Sequence, residues 1–132
     1  MGEYSGRVQT DRTPFYTDER CYISEWLNAE QVSDVSLAQC RVEPGVTTQL
    51  HSLSVVERYV ITAGSGLMEL DGQAPFSVSV GDSVIIQPDQ SQRIRNLGTD
   101  DLVFLCICTP RFLPEHYKNL EDENTPALDP SQ

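Results

Sequence analysis

Apolar and polar residues alternate along most of this chain with a period of two, which places successive side chains on opposite faces of a strand. Residues 21–27 (CYISEWL) and 35–42 (VSLAQCRV) carry the pattern, and it predicts a strand in each. Val35, Leu37 and Gln39 share one face of the second. Pro44 and Gly45 end it, since both interrupt a ladder. A strand up to Leu53, a bend, and a strand over 57–63 follow. Residues 64–66 (GSG) read as a turn, and strands over 67–70 and 76–80 flank the hairpin signal Asp71-Gly72. Gly81-Asp82 turns the chain again into strands over 83–86 and 92–96. Residues 102–108 (LVFLCIC) are apolar on both faces, as a central strand is. No helix of useful length is predicted. Short strands with a turn every eight to twelve residues point to an all-β sandwich or barrel.

Polar character divides the chain into an N-terminal arm over 1–20, a barrel over 21–110 and a C-terminal surface segment over 111–132, acidic and containing proline. A length of 132 residues suits one domain with a real core. The net charge of −11 argues against nucleic acid, which needs clustered cations, and against an anionic membrane surface. No apolar run has the length of a membrane span, and the first residues lack the apolar stretch of a secretory signal. Cysteines stand at 21, 40, 106 and 108 with no CxxC pair. Cys106 and Cys108 point to one face of a strand, where a bond between them would be strained. Four reduced, mostly buried thiols in a cytoplasmic protein is the expectation.

Chemistry concentrates in residues 45–64, GVTTQLHSLSVVERYVITAG, which hold one of the chain's two histidines. Gly45, His51, Glu57 and Gly64 have the spacing of the first motif of the cupin superfamily, with Leu53 where that motif has a second histidine. A second motif begins at Gly81. Pro88 falls one residue late, Asp89 takes a glycine place, Gln92 stands where a third histidine belongs, and Asn96 closes the register. The chain thus resembles a small single-domain cupin over most of its length. That resemblance implies an all-β, double-stranded β-helix (jelly-roll) barrel, and in typical cupins the histidines and glutamate hold one divalent metal ion.

Parity then defines an inward set. Gln49, His51 and Leu53 share a face, as do Glu57, Tyr59 and Ile61, and Gln92, Ile94 and Asn96. The resemblance puts His51 and Glu57 at ligand places, with Gln92 offering an amide oxygen, and parity leaves Gln49 able to compensate in part for Leu53. Such a donor set suits Zn, Mn, Ni or Fe without strong selectivity. Glu57 and Tyr59 are the candidate catalytic residues, because a carboxyl in an apolar barrel has its charged form disfavoured and can move a proton. Cys106 approaches the ligand if its face lines the barrel, although a core thiol is the expected reading. Arg58, Arg93 and Arg95 lie on the opposite parity, and His116 falls beyond the strands.

These readings lead to a metal-binding cupin acting on a small organic molecule, by dioxygenase, isomerase or epimerase, decarboxylase or lyase chemistry that the fold does not distinguish. The alternative is a non-catalytic cupin that binds a small ligand in a metal-free pocket, with His51 and Glu57 hydrogen-bonded to nearby amides. A homodimer is also expected, since small cupins pair through N-terminal strands and Phe15, Tyr16, Tyr22 and Trp26 put a large aromatic area there.

Overall fold

The computed structural model describes residues 4–121. Among the described residues, eleven strands make two antiparallel sheets. The first sheet runs, edge to edge, β1 (Phe15–Tyr16), β2 (Tyr22–Leu27), β3 (Ser36–Val42), β10 (Leu102–Thr109), β5 (Val56–Ala63) and β8 (Ser83–Ile86). The second runs β11 (Tyr117–Asn119), β4 (His51–Leu53), β9 (Gln92–Asn96), β6 (Ser65–Leu70) and β7 (Phe76–Ser79). Apart from one 3-10 turn at Pro114–His116, the described residues contain no helix.

Alternation places the core. Tyr59, Ile61, Phe104, Val84 and Ile86 of the first sheet pack against Met68, Leu70, Val78 and Ile94 of the second. The inward side chains of β3 are Ser36, Cys40 and Val42, the parity opposite to Val35, Leu37 and Gln39. The all-apolar segment became β10, and it is central, paired with β3 on one side and β5 on the other. The thiols are free, with Cys21, Cys40 and Cys108 buried and Cys106 partly so. No helix among the described residues is long and apolar enough to cross a membrane.

Residues 64–66 do not form a self-contained turn. Gly64 alone makes the corner, at φ +79°, and β6 begins at Ser65. A side chain at Gly64 would meet the Asp101 carbonyl oxygen, 2.6 Å from an ideal Cβ. Gly72 has a similar φ, +86°, but nothing within 4 Å. The two positions separate backbone strain from steric contact. Gly64→Ala is expected to lower stability by about 2 kcal/mol or more, and Gly72→Ala by only about 1 kcal/mol. Urea unfolding midpoints of the two variants, at unchanged slope, measure the difference.

Candidate functional site

A cavity of about 200 Å³ opens between the sheets, walled by β2, β3, β5 and β10 and flanked by Phe15, Thr17, Phe112 and Tyr117. His51, Leu53, Glu57, Tyr59, Cys106 and Cys108 line it. His51 begins β4, with Gln92 of β9 and Asn119 of β11 as its cross-strand neighbours. Its ring stacks on Tyr117, with centroids 4.9 Å apart and planes 13° from parallel. Nδ1 donates to the Gln49 carbonyl oxygen at 2.7 Å. A carbonyl can only accept, so this bond fixes the tautomer and leaves Nε2 with its lone pair. Burial lowers the pKa of the ring, against the pull of the Gln49 carbonyl.

Glu57 lies on β5 opposite Cys108 of β10 and Ile86 of β8. Its Oε1 accepts the Gln92 amide N–H at 2.8 Å, and the Gln92 oxygen accepts the Tyr59 hydroxyl at 2.6 Å. The Cys108 thiol approaches Glu57 Oε2 at 3.9 Å. Burial pushes the Glu57 carboxyl up to about 7, the Gln92 bond opposing it and the negative charge of Glu19 adding to it. Burial also holds the Cys106 thiol well above its ordinary range and lifts Cys108 to about 12, so neither is a ready nucleophile.

The four expected metal ligands are therefore not brought together in one way. His51 and Glu57 face the cavity. Gln92 is fully buried behind them, with both amide atoms engaged by Glu57 and Tyr59. Gln49 precedes β4, so strand parity does not extend to it. It faces a second, outer recess, and its amide oxygen accepts the Tyr117 hydroxyl. Leu53 lines the cavity where an imidazole would be needed. Ile61 and Ile94, expected as cavity walls, lie in the packed core instead. Among the described residues, no group of three or more His, Cys, Asp or Glu side chains could hold a metal ion. The donors present do not fit a divalent ion.

Two residues of the site carried no strand signal. Glu19 sits in the turn before β2, where Thr17 N–H donates to the Cys21 carbonyl and Arg20 N–H to the Thr17 carbonyl, both at 3.0 Å. Its Oε1 stands 3.9 Å from His51 Nε2, and burial raises its pKa to about 7. Tyr117 comes from the C-terminal segment, which docks as β11 against β4. Arg20 holds that segment down through a two-pronged bond to Glu121, at 2.8 and 3.2 Å. Of the arginines on the outward parity, Arg93 pairs with Glu69 at 2.9 Å and Arg58 with the Thr109 hydroxyl at 2.9 Å. His116 is half-buried and accepts the Leu113 N–H at 3.1 Å.

Two sheets, glycine corners and a cavity bearing His51 and Glu57 are the features of the resemblance drawn from sequence. Residues 38–108 match the family described as Cupin domain. The chain belongs to the cupin family. A cupin-sized relative, the uncharacterized protein MJ1618 of Methanocaldococcus jannaschii, is 35% identical over 111 residues, 82% of this chain and 88% of its own. Among solved structures, oxalate decarboxylase from Bacillus subtilis superposes with a TM-score of 0.73 at 18% identity over 88% of this chain. This cupin spans only 33% of that enzyme's length. A Klebsiella pneumoniae protein with a double-stranded β-helix domain matches over its full length and 89% of this chain, at TM-score 0.70 and 16% identity. At these identities the structural likenesses show the fold.

The raised carboxyl makes a measurable demand on stability. The folded state holds the Glu57 proton more tightly than the unfolded chain does, so the contribution is complete below pH 4.5 and is lost as pH rises to about 7. His51 works in the opposite sense, its depressed pKa favouring the fold above pH 6.5 and losing that effect as pH falls. Glu57→Gln removes one group and keeps an acceptor for Gln92. The variant should gain about 2 kcal/mol relative to the native chain between pH 5 and pH 8. Parallel pH series of urea unfolding read this directly, and equal slopes with pH would refute it.

Proposed function

We propose that this cupin is a small-molecule-binding protein whose barrel cavity works without a metal ion. The observation that carries the reading is the Tyr59–Gln92–Glu57 chain of hydrogen bonds, which uses both ends of the amide at a place where the family resemblance has a ligand. Turning the Gln92 oxygen to a metal would break a buried bond from Tyr59, and such a loss costs about 1–3 kcal/mol. Leu53 removes a further donor, and Gln49 is committed to Tyr117. What remains is a concave apolar cavity with a few convergent polar atoms, the usual form of a small-ligand site. Metal analysis of protein purified without chelators tests the reading. Well under one equivalent of Zn, Mn, Ni or Fe is expected, unchanged in His51→Ala. A stoichiometric metal lost in that variant would restore the metal-binding reading, with His51, Glu57, Gln92 and Gln49 as its ligands and Glu57 and Tyr59 as its acid–base pair.

For assembly we propose a homodimer through the outer edge of the first sheet. β1 is an edge strand of two residues, and it leaves Phe15 and Tyr16 half exposed, at 50% and 57%. Tyr22 and Trp26 are instead covered by the guanidinium groups of Arg41 and Arg12, at 4.1 and 4.5 Å from the ring centres. An edge with exposed aromatic area is a site for pairing with another chain. Tyr16→Lys places a charge on that edge without touching the cavity. Light scattering should give a dimer mass for the native chain at micromolar concentration and a monomer mass for the variant.

A further inference from the structure

The cavity and the outer recess share Thr17, Glu19, Phe112 and Tyr117, so the two adjoin at those residues. Their chemistry is one-sided. Glu19, Glu25 and Glu57 line the inner space and Asp18 and Glu19 the outer, and among the described residues no lysine or arginine lines either. His51 adds an acceptor. With Nδ1–H committed to the Gln49 carbonyl, Nε2 presents its lone pair, and it makes no hydrogen bond to any described residue. The ring is 3% exposed. Nε2 faces the cavity with Glu19 Oε1 3.9 Å away, beyond hydrogen-bond reach, so it can accept from a ligand that brings the hydrogen. Leu53, Phe104 and Phe112 add apolar lining.

We propose that the cavity takes a small primary amine with an apolar body, its ammonium group between His51 Nε2 and Glu19 Oε1. The proposal rests on the metal-independent reading above. The two acceptor atoms are 3.9 Å apart. A nitrogen at hydrogen-bond distance from both sees them at an angle of about 90°, which the divergent N–H bonds of an ammonium group can meet. The third N–H is left for Glu57 or for water in the outer recess. The apolar body then packs against Leu53 and the phenylalanine rings. A carboxylate ligand of the same size meets two glutamates and no counter-charge, so the cavity discriminates against anions as well as favouring cations.

Calorimetric titration of the full chain at neutral pH and low salt, with phenethylamine, phenethyl alcohol and phenylacetate, tests the proposal on one carbon skeleton. The amine is expected to bind at least about tenfold more tightly than the alcohol, with phenylacetate weakest. Glu19→Gln should erase the amine's advantage while leaving the alcohol's affinity within about twofold. The probe series on the native chain decides the matter even if that variant folds poorly. Phenylacetate or the alcohol binding as tightly as the amine overturns the proposal and leaves the small-ligand reading standing. Binding of none of the three overturns both. Displacement of the amine by one equivalent of Zn or Mn overturns the metal-independent reading and reassigns the acceptors to a cation site.

Discussion

The hydrogen-bonded chain Tyr59–Gln92–Glu57 sets the character of the barrel interior. Tyr59 and Glu57 stand on β5 of one sheet and Gln92 on β9 of the other, so the chain ties the two layers together across the core. Gln92 is 0% exposed, and a fully buried amide is tolerated only when both its ends are paired. The tie has a direction. The amide N–H must face a carboxyl oxygen and the amide oxygen must face a hydroxyl. That orients Glu57, orients Tyr59 and presses the Tyr59 ring against Phe104, at 4.3 Å between centroids. Gln92 commits both ends of its amide to this bridge. Glutamine there thus converts a ligand place into a bridge, at the cost of a donor for any metal.

A second tie closes the open end. Arg20 has φ +67°, which turns its side chain back to the Thr47 carbonyl, at 2.9 Å, and to Glu121. Glu121 in turn accepts the Leu50 N–H at 2.9 Å, and Gln49 N–H donates to the Glu19 carbonyl at 3.0 Å. These bonds link the turn before β2, the approach to β4 and the strand β11. Through Tyr117 they also cover one face of the His51 ring. The segments outside the regular barrel therefore decide what reaches the imidazole. A cupin with the same strands and different ends would have a different site.

The strands were legible because each is long enough to show alternation. β8 and β9 have the predicted bounds, and β2, β3, β5 and β10 differ from them by one residue at an end. Glycine spacing and parity also identified His51, Glu57, Tyr59 and Leu53 as cavity residues, and Cys106 as a conditional one. The misses have local causes. β1 has two residues and β11 three, too few for a period to register. Glu19 lies in a turn whose only signal is a run of polar residues, which usually means solvent. Parity failed at Gln49 because β4 starts at His51 and the alternation does not extend backwards. It placed Gln92 inside correctly, but the way an amide turns is decided by its neighbours, and those come from another sheet.

Charge links the interior to the rest of the molecule. The chain carries −11 at neutral pH, and the outer recess adds exposed Asp18 and partly buried Glu19. Clefts lined by one sign focus the field of the whole protein, and here they raise the local concentration of cations and repel anions. Inside, Glu19 and Glu57 are shifted upward by burial and not by any lack of hydrogen-bond donors alone, since Gln92 already opposes the shift at Glu57. A positive group entering the cavity restores their ionised form and releases protons to solvent. Binding of such a group is then linked to pH in a defined sense. It strengthens as pH rises through about 7, where the carboxyls no longer have to give up a proton to receive it. An anion shows the reverse dependence, because it is accepted only while both carboxyls stay neutral. The sign of that dependence follows from which groups line the cavity, whatever the ligand's carbon skeleton.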